Sequence, residues 1–353
     1  MTDWIAWAAI EGAMTKTKQM LFEPFDLTKW AKLAIILFFI GGSGGFGSNF
    51  GSNPTSGNFG DFGDSHSDAE LDAFVEEAVS GVSAFVDQYM TYIMLAVLAF
   101  LLVIVLLSYI SNVMQFVFVE SVVRNHVTIR AYIRNNLGNG LRLFILNWTL
   151  GIAFLIAIII SLLPALSAIL TGDFSAVFFG SLLLFFLVLV LGGIILAIIG
   201  SFINLAIPVM LYENVGVLKA LSKVISTAVH SIPQMLVYWV IRGVLGIIIG
   251  IAAAIIGLIV VLITGLILLL IGIAVYMILT LLGFGFLDMA VMIVLGLLFV
   301  ASILVFLTLL ATVPLPVFMK YHTLLFLRNW YADIMPFWEP VTEPAPESVP
   351  EPA

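Results

Sequence analysis

The sequence predicts an all-α polytopic membrane protein, a transmembrane helix bundle of about six spans in three repeated units with interfacial amphipathic helices. Three observations predict it. Hydrophobic residues make up 62% of the 353 residues and charged ones 10%, and with a mean hydropathy of +1.21 the chain has too little polar surface to cover a soluble core. The apolar residues form long continuous runs, not alternating segments of about ten, so helices and not a barrel satisfy the backbone in lipid. Lys and Arg fall in alternate connections between the runs.

Taken in order, residues 1–30 read as an N-terminal interfacial helix, in which Trp4, Ile5, Trp7, Ile10, Met14, Met20 and Leu21 mix with Glu11, Lys16 and Lys18. The start lacks a positively charged region ahead of its apolar residues, so no cleavable signal peptide is expected. Residues 31–332 form the transmembrane domain. A short first span follows Lys29-Trp30-Ala31-Lys32 and reaches about Phe46. Residues 41–67 hold a Gly/Ser/Asn-rich outer loop, poor in helix formers and unable to sit in lipid with its backbone unsatisfied. Residues 68–88 read as an acidic amphipathic helix, with Leu71, Phe74, Val75, Val79, Val82 and Phe85 at helical spacing.

The second span covers Tyr89 to Phe118, and a basic stretch with Arg124, Arg130, Arg134 and Arg142 leads to the third, Leu143 to Leu170. The turn Thr171-Gly172-Asp173 opens the fourth, Val177 to Tyr212, and Lys219 and Lys223 fill the next connection. From Gly243 to Leu287 no charged residue occurs; as helix this stretch reaches about 68 Å, enough for two crossings of about 30 Å each. A last run, Ala290 to Val313, precedes Pro314, Pro316 and the Lys320–Tyr331 stretch. The acidic, Pro-rich tail, 333–353, is expected to be disordered.

The distribution of Lys and Arg places the N-terminus in the cytoplasm, and Lys320 and Arg328 place the C-terminus there too, in the cell membrane. That requires an even number of spans, and six is the expectation; seven is the alternative. A repeat favours six. Without gaps, Glu120 falls on Glu213, Val122 on Val215 and Tyr109 on Phe202, while Pro208-Val209 falls on Pro316-Val317. Residues 144–152, FILNWTLGI, also match 239–247, WVIRGVLGI, with a weaker echo in TKWAKLAII.

Both ends of the chain carry a family likeness. The run LFEPFDLTKWAKLAIILFFIGGSGGFGSNF and the ending TVPLPVFMKYHTLLFLRNW resemble a group of uncharacterised membrane proteins of haloarchaea and methanogens. The resemblance implies an archaeal cytoplasmic membrane and no assigned activity. More distantly, the repeated helix-and-span pattern looks like membrane domains attached to glycerophosphodiester phosphodiesterases, although no phosphodiesterase domain is present.

Chemistry is sparse. With no cysteine and a net charge of -8, thiolate chemistry is excluded and no basic stripe exists for nucleic acid. GGSGG at 41–45 and GSGGFG at 42–47 fit hydrolase-elbow and dinucleotide patterns, but both arise from glycine richness and lack the strand-turn-helix context. His66, His126, His230 and His322 lie far apart without metal-ligand spacing. Asp61, Asp64, Asp68, Glu70 and Asp72 read as a solvated face, their spacing not being that of a calcium loop. No catalytic, cofactor or metal residue is therefore expected.

The residues that stand out are polar groups near the inner ends of the spans: Asn112, Asn147, Asn204 and Arg242, with Ser111 beside them. If the bundle closes around them they form a polar vestibule, with Arg242 binding an anion or a lipid head group; otherwise Arg242 snorkels and the amides bond across helices. Gly246, Gly250, Ala253 and Gly257 share one face of the fifth span and are expected to pack against a neighbouring helix. The expected function is a non-catalytic scaffold that organises the membrane or recruits partners. Its contacts are the lipid bilayer and a membrane-protein partner or second copy of the chain. The alternative is a transporter or channel using the vestibule around Arg242.

Overall fold

The computed structural model describes residues 4–41, 68–171, 176–281 and 286–331. Among these residues the chain forms helices and no strands: α1 (Ile5–Leu21), α2 (Leu27–Ile40), α3 (Asp68–Val123), α4 (Ile129–Thr171), α5 (Ala176–Glu213), α6 (Val217–His230), α7 (Ile232–Leu281), α8 (Phe286–Thr312) and α9 (Pro314–Trp330). Five of them contain a stretch long and apolar enough to cross a membrane, within α3, α4, α5, α7 and α8. The outer loop and the tail expected at 41–67 and 333–353 lie outside the described residues, apart from Gly41.

Spans and flanking segments merge. The acidic segment from Asp68 continues into the second span as one helix of 56 residues, and the basic stretch before Leu143 continues into the third as one of 43. Neither junction, at Asp87-Gln88 or at Arg142-Leu143, carries a Gly or Pro. An established helix adds one hydrogen bond per residue it fixes, so it propagates where nothing breaks it. The same holds for α7, whose 50 residues are one helix, so the charge-free stretch from Gly243 has no turn before Leu281. Where helices do end, the stop is local. α3 and α5 are followed by Asn125 and Asn214, both at φ 52°, a left-handed conformation that Asn tolerates and that closes helix C-termini. Asp26 caps α2 by accepting from the Thr28 amide at 2.8 Å.

Burial is concentrated at one end of the molecule. Phe116, Leu143, Leu205, Ile207, Met210 and Tyr238, from four of the long helices, pack with Leu33 and Ile36 of α2, Ala220 and Val224 of α6, and Leu324 and Phe326 of α9. We call this packed end the platform. The rest of the long helices is lipid-like surface: no residue in the most apolar stretch of α3, α5, α7 or α8 is buried, and in α4 only 17% are.

α9 runs through the middle of the platform, with Tyr321, His322, Thr323, Phe326 and Leu327 all buried. Its neighbour α1, within the interfacial segment expected over 1–30, packs along it. Ala6, Ala9, Ala13, Thr17 and Met20 form a buried stripe at helical spacing, and small side chains let α1 approach α9 closely; a Cβ on Gly12 would meet Leu325 Cδ1 at 3.0 Å. Trp4, Trp7 and Met14 remain exposed on the other face. The end of α1 is closed from α2, where Lys29 Nζ donates to the Met20 carbonyl (3.1 Å) and Trp30 Nε1 to that of Leu21 (2.9 Å).

Candidate functional site

Just above the platform, α3, α4 and α5 diverge around a cleft of about 500 Å³, within the range of small-molecule pockets. Each helix presents one stripe to it. From α3 come Ser108, Ser111, Asn112 and Gln115, spaced i, i+3, i+4 and i+7; from α4 come Asn147, Trp148, Gly151 and Leu155; from α5 come Leu196, Ile199, Gly200, Ile203 and Asn204. Among the described residues no charged side chain lines it.

The polar groups are held by hydrogen bonds among themselves. Asn147 Nδ2 donates to Asn112 Oδ1 at 2.6 Å, and Asn112 Nδ2 to the Ser108 carbonyl at 2.8 Å. Trp148 Nε1 donates to Ser108 Oγ at 2.9 Å, which fixes the indole against α3, and Asn204 Nδ2 donates back along its own helix to Gly200 at 3.2 Å. Ser111 Oγ donates to the Ile40 carbonyl at 3.3 Å, so the end of α2 stands at the level of the cleft.

Of the four vestibule residues, the structure brings Asn112, Asn147 and Asn204 together, and Arg242 is not among the residues lining the cleft. Arg242 points its Nη1 to Thr323 Oγ1 of α9 and to Tyr238 Oη (3.2 Å), with its guanidinium 5.8 Å from the Tyr238 ring. The reason is reach. Tyr238 lies one turn back on the same helix and opens a path for the long side chain toward the platform, where Tyr238 stacks on Phe326 and His322.

Lys320 comes close to this group. It is 9% exposed, and its ammonium makes no hydrogen bond or ion pair among the described residues. Burial, with the nearby Arg242 charge, brings its pKa down to about 7. His322 Nε2 stands 3.0 Å from the Ala6 carbonyl while its Nδ1 is buried without a partner, and burial lowers its pKa to about 4.

On the glycine face of the fifth span, Gly246 and Gly250 have no close neighbour among the described residues. A Cβ at either would meet nothing within 4 Å, while one at Gly257 would make ordinary contact with Thr308 of α8 (3.5 Å). Ala253 of the same face is half-buried. The inner part of α7 is held instead by large side chains such as Tyr238. The tight approaches are at glycines of other helices: Gly140 lies against Val113, and Gly192 against Phe154. Among the described residues no three His, Asp or Glu side chains gather as a metal site.

Sequence-aligned positions make alike contacts. Ser201, the residue aligned with Ser108, likewise accepts from an indole: Trp239 Nε1 donates to Ser201 Oγ at 2.9 Å and Trp148 Nε1 to Ser108 Oγ, although Trp239 is aligned with Phe144, one turn before Trp148. Tyr109–Phe144 and Phe202–Trp239 are both edge-to-face pairs, with ring centroids 6.0 and 5.7 Å apart. Glu120 accepts from Asn136 (2.9 Å) and pairs with Arg124, while Glu213 pairs with Lys223 and accepts from Tyr331 (2.9 Å). Each glutamate thus ties a span end to the segment that follows it.

The family model described as "Family of unknown function (DUF7544)" matches residues 4–336. The chain belongs to this family. The match takes in α1 to α9, so platform and cleft both fall within the DUF7544 region. Neither a curated protein nor a solved structure matches the chain.

Proposed function

We propose that this DUF7544 protein crosses an archaeal cytoplasmic membrane six times and acts there without catalysis, as a scaffold that organises the surrounding bilayer from a packed cytoplasmic platform. The division between a buried platform and unburied apolar helices carries this reading. On α3, Tyr89 to Leu107 are mostly exposed apolar residues; 19 residues of helix reach about 29 Å, the thickness of the hydrocarbon layer. The cleft then falls at its inner boundary. Lys18, Lys29, Arg124, Lys219 and Lys223 lie at the platform end, the pattern of a cytoplasmic side. One uninterrupted α7 supports six crossings over seven, with the segment opened by α2 as the first. The alike contacts in α3–α4 and α5–α7 support duplication of one unit. A carrier places its site near the midplane, whereas here the polar residues of the cleft lie at the inner boundary and the middles of the spans are almost purely apolar.

A transporter is the second reading, and the amide-lined cleft favours it. Reconstitution in vesicles separates the two. The scaffold reading expects no ion or solute flux above protein-free vesicles, together with a change in lipid packing read by an interfacial dye. Flux that disappears on filling the cleft with Gly151→Leu would overturn it in favour of a carrier.

A further inference from the structure

The cleft is built for a particular chemistry. None of its lining residues is charged, so a charged ligand would leave water without a counter-charge, which is costly in such a site. What the lining offers is amides and hydroxyls, which both donate and accept. Asn204 is 7% exposed, and its Nδ2 is used by Gly200. Its Oδ1 and the carboxamide of Gln115 make no hydrogen bond among the described residues, although both residues line the cleft. Trp148, locked by Ser108, adds a flat apolar wall. A group that carries several hydroxyls on a carbon frame matches donors, acceptors and wall together.

The mouth opens sideways. Ile152 and Leu155 line the cleft and are 49% and 55% exposed on the outer surface of α4. We infer that the cleft between α3, α4 and α5 binds an uncharged polyol group, and that a membrane lipid supplies it: a glycosyl head held at Asn204, Asn147 and Gln115, its chains leaving past Ile152 and Leu155. This rests on the reading of these helices as membrane spans with the cleft at the inner boundary. It gives the scaffold a specific lipid to hold.

The test is retention of lipid by the purified full-length protein, measured by native mass spectrometry from detergent micelles. The probes are glucosyl-diacylglycerol and phosphatidylglycerol with the same chains, with free glucose as competitor. The glucosyl lipid is expected to bind, phosphatidylglycerol to bind at least about tenfold more weakly, and millimolar glucose not to displace the lipid. Asn204→Leu should weaken binding about tenfold by removing an amide. That variant risks misfolding, so Gly151→Leu serves beside it: nothing lies within 4 Å of a Cβ there, so the side chain fills the cleft without a backbone clash and binding should be lost in a folded protein. Equal binding of phosphatidylglycerol, equal binding by Gly151→Leu, or full displacement by glucose each overturns the inference, the last by identifying a soluble polyol as the ligand. Failure to retain any lipid alongside absence of vesicle flux removes this site and leaves the scaffold reading standing.

Discussion

Replacing Lys320 with methionine should stabilise the protein, and the gain should depend on pH. Lys320 is buried in α9 beside Arg242, and its pKa falls from 10.5 to about 7. The unfolded chain therefore binds one proton more than the folded one between these values, so stability rises with pH across that window. A lysine of pKa 10.5 unfolded and about 7 folded costs about 4 kcal/mol at pH 7 and about 1 at pH 10, a difference of roughly 3–4 kcal/mol. Methionine keeps the unbranched stem without the charge and removes this pH dependence. At about 2 °C per kcal/mol, Lys320→Met should melt about 7 °C higher relative to wild type at pH 7 than at pH 10. The assay is thermal unfolding in detergent from pH 6 to 10, taken as variant minus wild type so that other titrating groups cancel. A variant that melts below wild type at pH 7, or a difference that does not shrink toward pH 10, would refute the reasoning.

Three further perturbations test the geometry. Gly140→Ala drives a Cβ into Val113, 2.9 Å from its Cα, and should lower stability by about 1–3 kcal/mol through overpacking; Gly151→Ala, in open space, should be neutral or gain about 0.5–1 kcal/mol from helix propensity, and equal melting shifts for the two would contradict the α3–α4 contact. In this cysteine-free chain, Asn329→Cys on the exposed part of α9 should react with an impermeant maleimide only after cells are opened; labelling of intact cells would place the platform outside. Hydrogen bonding to the Thr28 amide lowers the pKa of Asp26, so its cap contributes above the ordinary value of 3.8 and is lost as the pH falls below it. Asp26→Ala should accordingly lower the melting temperature at pH 7, by a margin that narrows in acid, which a melting series from pH 7 to 3 would show.

How much of this was legible follows from the kind of signal each feature leaves. Helix and apolar run were legible because composition alone decides them. The asparagines of the cleft were legible too, since Asn112, Asn147 and Asn204 interrupt apolar runs. Ser108 and Gln115 have a signal as well: with Ser111 and Asn112 they repeat at i, i+3, i+4 and i+7, the period of one helical face. Arg242 was assigned to the same group by depth, and depth is what a hydropathy pattern conveys. Which way a long side chain turns depends on Tyr238 and Thr323, and Thr323 lies 81 residues away, beyond any local pattern. The glycine face of the fifth span shows a related limit, for small residues permit close packing without supplying a partner, and among the described residues nothing lies within 4 Å of a Cβ at Gly246 or Gly250.

Lys320 joins the sequence argument to the structural one. Its positive charge counts toward a cytoplasmic C-terminus, yet in the folded protein it sits buried with a pKa of about 7. The two statements belong to different stages. Orientation is set while the chain inserts, when α9 is solvated and the lysine has its ordinary charge. In the folded protein α9, the last of the described helices, lies against α1, α7 and the ends of α3 and α5. Because α9 supplies Tyr321 to the Val122 carbonyl (2.9 Å), Thr323 to Arg242 and Trp330 to Ser231 (2.6 Å), it ties together elements from both halves of the chain. The platform therefore depends on α9, and the cost of burying Lys320 is part of packing that helix.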